Sequence, residues 1–212
     1  MPLPFPPLYA ILDVAAASSE ARIPEVLAEN GVGLIQMRDK HASARAVFEA
    51  SKVLVARLSP KGVRVIVNDR PDIAAMIGAG GVHVGQDDLP VDAARACCGG
   101  GLWVGVSTHN LEQFRAAAAT SADYIAVGPI FSTATKANPD PVVGLDLIRA
   151  ARQLTRKPLV AIGGITVQSA EAVYRAGADS IAVVSDLLST PKPVLRAAEY
   201  IAISSRVLAE RD

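Results

Sequence analysis

The stretch with the clearest chemical potential is QMRDK, residues 36–40. It continues a run of apolar residues that predicts a strand, and successive side chains of a strand point to opposite faces. Gln36, Arg38 and Lys40 therefore share one face, and Met37 and Asp39 share the other. A guanidinium offers a bidentate fork and an ammonium a point charge, so the first face is suited to bind an oxyanion. The alternative is a strand end that passes into an ordinary charged loop.

Two aspartates, Asp69 and Asp88, lie near the ends of the third and fourth predicted strands. Neighbouring strands lie about 5 Å apart, so two carboxylates there could share one cation. Mg²⁺ commonly takes one or two protein carboxylates and completes its shell with water and phosphate oxygens. The alternative for each aspartate is to cap the following helix, and Asp87 competes with Asp88 as the second ligand. A basic face beside an acidic pair would suit a magnesium–diphosphate complex.

A third group of polar residues lies later in the chain. The loop GPIFSTATKANPD, residues 128–140, carries several hydroxyl groups and one lysine, Lys136. Gly163-Gly164 and Val184-Ser185 lie at the ends of the seventh and eighth predicted strands, and parallel barrels often bind phosphate in the loops that follow. These segments could hold a second, phosphorylated ligand. The alternatives are a tight turn at the glycines and a loop without a functional role.

The histidines do not indicate a catalytic triad. His83 lies inside a predicted strand, where we expect it to be hydrogen-bonded in the interior, and His41 and His109 lie in predicted loops. No Ser–His–Asp ordering or nucleophile elbow occurs, so covalent acyl transfer has little support.

One pattern positions all of these residues. Short, mostly β-branched apolar runs alternate with segments of helical spacing, which is typical of strands buried on both faces of a parallel sheet. Helical spacing is clear in Ala44–Leu58, Asn110 is a candidate N-cap with Gln113 three residues on, and Asn30 and Ala176 each precede a glycine that would end a helix. The predicted strands are residues 8–13, 34–39, 64–69, 81–86, 102–108, 124–130, 158–163 and 180–185.

Eight such units without a break in composition predict an α/β fold, a single (β/α)8 TIM barrel domain over residues 1–212. The alternative, a doubly wound open sheet, needs a dinucleotide fingerprint, and the glycines at 78–81 precede a strand instead of following one. In such barrels the chemistry lies at the C-terminal ends of the strands. The basic residues after the second strand, the aspartates and the segments predicted to bind phosphate all fall at those ends.

Composition excludes several classes of function. Lys plus Arg and Asp plus Glu both number 21, and aromatic residues make up 4%. The net charge of zero provides no field for nucleic acid or an anionic membrane, and few aromatic rings are present for base stacking. No apolar run approaches the ~18 residues of a membrane span, and the proline-rich start is unlike a signal peptide. We therefore expect a cytoplasmic protein, with Cys97 and Cys98 as small buried side chains in a reducing compartment. The oligomeric state stays open, a homo-oligomer included.

Taken in order, the segments resemble the thiamine phosphate synthase family. The similarity rests on seven motifs: QMRDK, VNDRPD, GVHVGQDDL, VGVSTH, YIAVGPIFSTATK, AIGGIT and GADSIAVVSDLL. Ser132 and Asp87 depart from it, because the family often has proline and glutamate at these positions. The resemblance implies a (β/α)8 enzyme that joins 4-amino-2-methyl-5-pyrimidinylmethyl diphosphate to 4-methyl-5-(2-phosphoethyl)thiazole or its 2-carboxy form. The products would be thiamine phosphate and diphosphate, with CO₂ from the carboxylated thiazole.

The resemblance also implies roles for individual residues. Mg²⁺ would be held by Asp69 and Asp88, and Arg38, Lys40 and Lys136 would be catalytic. Binding of the pyrimidine diphosphate would involve Gln36, Met37, Arg38, Asp39, Lys40, Asn68, Ser107 and Lys136. Binding of the thiazole phosphate would involve Thr133, Ala134, Thr135, Gly164, Val184 and Ser185. The loop carrying Lys136 would touch both reactants and could act as a lid. Two alternatives are a thiazole tautomerase and a non-catalytic phosphate-binding barrel.

Overall fold

A closed parallel barrel forms the centre of the molecule. The computed structural model describes residues 5–13, 22–133 and 140–211. Eight strands pair in chain order, and the eighth pairs with the first, which confirms the predicted (β/α)8 barrel. The strands are β1 Leu8–Asp13, β2 Leu34–Arg38, β3 Arg64–Asn68, β4 Gly81–Val84, β5 Trp103–Thr108, β6 Tyr124–Val127, β7 Leu159–Ile162 and β8 Ser180–Val183.

Helices alternate with these strands and surround the barrel. Their bounds are α1 Ile23–Glu29, α2 Ala44–Leu58, α3 Pro71–Met76, α4 Val91–Cys98, α5 Leu111–Ala118, α6 Gly144–Leu154, α7 Val167–Arg175, α8 Ser185–Leu188 and α9 Pro193–Ala209. The predicted bounds of α2 are confirmed, and the side chain of Asn110 caps α5 by accepting from the Gln113 N–H at 2.9 Å. Within the described ranges, every helix is too short or too polar to cross a membrane.

The two faces of the barrel strands bury different sets of side chains. Inward-facing residues such as Tyr9, Leu34, Ile66 and Val160 form a cluster inside the barrel. Outward-facing residues pack against the helices in a second, larger cluster. Because both faces are buried, the strands appear in the sequence as nearly continuous apolar runs.

Aromatic rings close the N-terminal end of the barrel. Phe5 stacks on Trp103 with ring centroids 5.2 Å apart and an interplanar angle of 14°. The Arg64 guanidinium lies 3.7 Å from the centroid of the Trp103 ring, and Tyr124 meets the same indole edge-on. These four side chains form the barrel floor, and the polar residues lie at the opposite end.

An aspartate before each of two strands secures the same N-terminal end. Asp123, just before β6, accepts the N–H of Val104 at 2.7 Å and forms an ion pair with Arg95. Asp179, just before β8, accepts the first N–H of β7 at 2.8 Å and pairs with Arg152 at 2.6 Å. Each carboxylate thereby joins a helix to two neighbouring strands.

The two cysteines occupy different environments. Cys98 is buried, with its thiol 3.6 Å from the carbonyl oxygen of Pro71, whereas Cys97 is exposed. The expectation of two buried cysteines is therefore wrong for Cys97. Adjacent residues of a helix differ by about 100° in direction, so only one of them faces the core.

Candidate active site

The C-terminal ends of the strands surround a cavity of about 430 Å³. Every strand contributes to its lining, as the barrel rule predicts. The structure brings together at this cavity the following predicted site residues: Gln36, Arg38, Lys40, Asn68, Asp69, Asp88, Ser107, Thr133, Gly164, Val184 and Ser185.

Two predicted binding residues point elsewhere. Met37 alternates outward and packs against the cluster between barrel and helices. The Asp39 carboxylate accepts the backbone N–H groups of His41 and Ala42, both at 3.0 Å, and so organises the turn after β2. Neither side chain lines the cavity. Ala134, Thr135 and Lys136 lie outside the described residues.

The basic side of the cavity consists of Arg38 and Lys40. Arg38 forms an ion pair with Asp13, which is 3% exposed at the end of β1. Burial lowers the pKa of the Arg38 guanidinium, and the negative charges of Asp69 and Asp39 oppose that shift. Lys40 lies 3.4 Å from the Asp69 carboxylate and is about half exposed. Arg38 is thus fixed in the wall, and the Lys40 ammonium extends toward the opening.

Asp69 and Asp88 form a carboxyl pair beside these cations. The pKa of Asp69 is raised to about 6, mainly by burial; a hydrogen bond with the Asp88 carboxyl contributes to this rise, and Lys40 opposes it. Two carboxyl groups within hydrogen-bond reach of each other are most stable when they share a proton or a cation. The pair therefore has the character expected of a cation site.

The structure excludes helix capping as the role of these aspartates. The N-cap residues of α3 and α4 are Arg70 and Pro90, and neither helix has a side-chain cap. Asp88 instead accepts the N–H of Gly85 at 2.7 Å. A Cβ at Gly85 would lie only 2.9 Å from that carboxylate oxygen, so a glycine there provides the space for Asp88.

The backbone at Asp69 is held in an unusual conformation. Its φ is +61°, in the left-handed region that non-glycine residues seldom occupy. Its N–H donates to the carbonyl oxygen of His83 at 2.8 Å, which fixes the chain just after β3. Such strain clusters at functional sites, where the surrounding structure maintains it.

The donor set fits a magnesium ion. Within the described residues, no group of three or more His, Cys, Asp and Glu side chains could hold a metal ion. A pair of carboxylates with open positions is, however, what Mg²⁺ uses when substrate phosphates complete its shell. Asp69 and Asp88 are the residues that would hold it, and Asp87 lies further out as an exposed part of the lining.

Sequence reasoning missed a buried polar chain beneath the cavity. Gln36 donates to the Tyr9 hydroxyl at 2.7 Å, and the Tyr9 and Tyr124 hydroxyl groups are 3.1 Å apart. His83 lies 3.0 Å from the Tyr124 hydroxyl through Nδ1 and 2.8 Å from the Ser107 hydroxyl through Nε2. The predicted interior, hydrogen-bonded position of His83 is confirmed. Strand alternation indicates that both tyrosines point inward, but not that they meet.

His109 is a second residue whose position the sequence did not reveal. Its Nδ1 is 2.6 Å from the Gly128 carbonyl oxygen, so this nitrogen carries the proton. Its Nε2 lies 3.6 Å from the Asp140 carboxylate. His109 thus connects the end of β5 to both flanks of the loop after β6.

The remaining wall contains the predicted phosphate side. Gly163 and Gly164 have φ values of +99° and +64°. A Cβ at Gly163 would lie 2.5 Å from Pro129 Cα, and one at Gly164 would lie 2.8 Å from the carbonyl oxygen of Phe131. The close approach that requires these glycines is therefore to the segment after β6. Ser185 begins the short helix α8 and lines the cavity beside them.

Comparisons with known proteins agree with this geometry. The profile described as thiamine monophosphate synthase matches residues 8–187. A thiamine-phosphate synthase of Koribacter versatilis is 47% identical over 207 residues, covering 95% of this chain and 97% of its own length. One from Chloroflexus aurantiacus is 43% identical over 200 residues, with coverages of 93% and 92%.

A solved structure is similar over nearly the whole chain. The thiamine phosphate pyrophosphorylase from Pyrococcus furiosus superposes with a TM-score of 0.85 at 32% identity, covering 95% of this chain and 96% of that one. Both the matched profile and the identities extend over far more than the barrel mouth. The chain belongs to the thiamine monophosphate synthase family.

Proposed function

We propose that this protein is a thiamine phosphate synthase. It would transfer the 4-amino-2-methyl-5-pyrimidinylmethyl group from its diphosphate to the ring nitrogen of 4-methyl-5-(2-phosphoethyl)thiazole or its 2-carboxy form. The bond from the methylene carbon to diphosphate breaks, the bond from that carbon to the thiazole nitrogen forms, and thiamine phosphate and diphosphate are released. With the carboxylated thiazole, CO₂ is also released. The observation that carries the proposal is the juxtaposition of Arg38 and Lys40 with the Asp69–Asp88 pair at one cavity, in a chain of this family.

The two reactants would occupy opposite sides of the cavity. The pyrimidine diphosphate would lie against β2 to β5, where Gln36, Arg38, Lys40, Asn68 and Ser107 line the wall. The thiazole phosphate would lie near the following residues, with Ala134 and Thr135 predicted to assist: Thr133, Gly164, Val184 and Ser185. The reacting carbon and nitrogen would then meet between the two anionic groups.

The basic side chains would stabilise the departing diphosphate. Cleavage that precedes bond formation leaves a ring-stabilised cation and places negative charge on the leaving group, so it needs charge neutralisation more than a general base. Arg38, held by Asp13, offers a fixed fork, and Lys40 offers a charge near the opening. Mg²⁺ held by Asp69 and Asp88 would supply Lewis acidity to the diphosphate oxygens. Fixed charges of this kind act without reorganisation during the reaction.

The test is to supply both heterocycles with and without Mg²⁺ and to detect thiamine phosphate by mass. We expect product only when both reactants and Mg²⁺ are present. Isomerised thiazole alone would indicate a tautomerase, and no conversion would indicate a binding protein. Asp69→Asn should weaken the Mg²⁺ dependence of the rate, and an unchanged Mg²⁺ titration would remove Asp69 from the metal site.

A further inference from the structure

The buried polar chain seen beneath the cavity has a defined order. It runs from Gln36 through Tyr9, Tyr124 and His83 to Ser107, and we call it the Gln36–Ser107 chain. The first four side chains are at most 8% exposed, so water does not replace their partners. Ser107 is less buried and lines the cavity.

The numbers of donors and acceptors in the Gln36–Ser107 chain allow the protons to be donated in only one direction. Each phenol has a single proton to donate, and the Gln36 nitrogen can only donate. Tyr9 accepts from Gln36, so its own proton goes to Tyr124, its other hydroxyl partner within the described residues. Tyr124 accepts from Tyr9 and therefore donates to His83 Nδ1. The reverse order would leave a buried hydroxyl proton facing an N–H group, which is costly.

This direction fixes the tautomer of His83. His83 is buried, and its two ring nitrogens contact the Tyr124 and Ser107 hydroxyl groups, so a neutral imidazole with one proton satisfies both contacts. Since Nδ1 accepts, that proton is on Nε2, which donates to the Ser107 oxygen at 2.8 Å. The Ser107 hydroxyl therefore does not donate its own proton to His83. Within the described residues this proton has no other acceptor, so the hydroxyl can donate it to a ligand in the cavity.

We propose that the Gln36–Ser107 chain presents Ser107 to the cavity as a hydrogen-bond donor and so selects a ligand acceptor, such as an unprotonated ring nitrogen. Tyr9, Tyr124 and His83 are positioning residues that act through Ser107. The identity of the ligand rests on the proposed function. For the aminopyrimidine, a ring nitrogen faces Ser107 and the exocyclic amino group, a donor, faces elsewhere.

The sheet provides the space that the Gln36–Ser107 chain requires. Gly105 pairs with Tyr124 across β5 and β6, and a Cβ at Gly105 would overlap the Tyr124 ring. The ring of Tyr124 can therefore lie across β5 toward His83, with ring centroids 5.5 Å apart. Any larger residue at position 105 would displace the hydroxyl that His83 accepts from.

The first test needs no ligand and no activity. The ¹⁵N shifts of the imidazole in labelled protein distinguish the two neutral tautomers, and His83→Gln assigns the signals. We expect His83 protonated at Nε2 and unprotonated at Nδ1 near neutral pH. The Nδ1–H tautomer would overturn the proposal, because Ser107 would then donate to His83 and offer only an acceptor to the cavity.

The second test breaks the Gln36–Ser107 chain in the whole enzyme. Tyr124→Phe should mix the His83 tautomers and raise KM for the pyrimidine diphosphate by roughly two- to tenfold, the value of one hydrogen bond. KM for the thiazole phosphate should not change. Ser107→Ala should have a similar effect, and the double variant should be little worse than Ser107→Ala alone. Fully additive effects, or an unchanged KM in Tyr124→Phe, would contradict the proposal.

Tyr174→Phe is the matched control. It removes another buried tyrosine hydroxyl, which donates to the Pro7 carbonyl oxygen at 2.8 Å outside the Gln36–Ser107 chain. We expect it to alter stability but neither KM nor the His83 tautomer. An equal rise of KM in this control would assign the Tyr124 effect to general packing and sink the proposal.

The third test identifies the acceptor on the ligand. Two substrate analogues each replace one ring nitrogen of the pyrimidine by C–H. One of them should bind the wild-type enzyme roughly two- to tenfold more weakly than the parent compound, and Ser107→Ala should abolish this difference. Equal binding of both analogues and the parent would refute the proposal. Absence of product with the parent substrates would instead refute the proposed function and leave the His83 tautomer assignment intact.

Discussion

At the scale of single residues, Asp69 combines a partly buried carboxyl group, a left-handed backbone and a second carboxyl within hydrogen-bond reach. Its pKa is raised from 3.8 to about 6, so the folded protein binds more protons than the unfolded chain between these values. Ionised Asp69 therefore destabilises the metal-free fold fully above pH 6, and this destabilisation disappears as the pH falls toward 4.

We predict that Asp69→Asn stabilises the metal-free protein above pH 6. A rise of about two pKa units at about 1.4 kcal/mol per unit sets an upper limit of about 3 kcal/mol. Asparagine tolerates the left-handed backbone, so the substitution adds little strain. Urea unfolding in the presence of a chelator measures the effect, and the gain over wild type should vanish near pH 4.

Asp87→Asn is the control for this prediction. Asp87 also lines the cavity but is exposed, and the hydrogen bond to Asp69 comes from Asp88. We expect little change in stability at either pH. A gain in Asp69→Asn that persists at pH 4 would show that the carboxyl pair is not its cause.

Lys136 belongs to the same scale, although it lies outside the described residues. We predict that Lys136→Ala lowers kcat by about 10² to 10³, because it removes one positive charge from the departing diphosphate. Thermal unfolding should be nearly unchanged. Lys52→Ala, on the outer helix α2, removes an exposed lysine and should retain full turnover. Normal kcat in Lys136→Ala would exclude that lysine from the mechanism.

At the scale of elements, the segment after β6 and the turn after β7 form one unit. Ile130 donates to the Ile162 carbonyl oxygen and Phe131 to that of Gly163, both at 2.9 Å, as if the ladder between β6 and β7 continued. Gly164 then fits against the backbone of Phe131. The predicted phosphate side of the cavity therefore depends on two connections that fold against each other.

We predict that Gly164→Ala disrupts this unit. Its φ of +64° is unfavourable for alanine by about 1–2 kcal/mol, and the added Cβ collides with the 131–132 backbone. KM for the thiazole phosphate should rise at least tenfold, or by about 1.4 kcal/mol. Gly78→Ala is the matched control, because Gly78 has φ +63° with open space around it. It should lose stability alone, and an equal change of KM in both variants would contradict the argument.

The strands and α2 were predictable because their signal is local. Alternation placed Gln36 and Arg38 in the lumen, and periodicity fixed the bounds of α2. The Asp69–Asp88 contact could not be predicted from local sequence alone, because it depends on the register between β3 and β4. That register pairs Asn68 with His83 and so brings the two following loops together. Tyr9 and Tyr124 are 115 residues apart, and their contact depends on how the closed barrel staggers its strands. No local pattern encodes that stagger.

At the scale of the whole molecule, the two ends of the barrel have different roles, ligand binding at one end and stabilisation of the fold at the other. The C-terminal end holds the cavity, and the N-terminal end holds the floor and the aspartates that join helices to strands. The segments ADYIAV at 122–127 and ADSIAV at 178–183 repeat the second feature in sequence as well as in structure. The recurrence of this arrangement at two places in one chain indicates that its role is structural.

We predict that Asp179→Ala destabilises the fold without altering turnover. It leaves the N–H of Leu159 and the Arg152 guanidinium without their carboxylate, which should cost about 2–4 kcal/mol. Chemical denaturation measures the loss, and kcat/KM should stay within about twofold of wild type. Asp146→Ala, which breaks a pair on a 94% exposed aspartate, should cost less than about 0.5 kcal/mol. A catalytic defect in Asp179→Ala would show that the two ends are coupled.

The stacked rings of Phe5 and Trp103, with Arg64 over the indole, close the barrel interior at its N-terminal end. Among the residues that the structure describes, a ligand can therefore enter and leave only at the C-terminal end of the barrel. Two ligands on opposite sides of the cavity would therefore enter past the same rim, and a product made by joining them has to leave through the opening by which both came in.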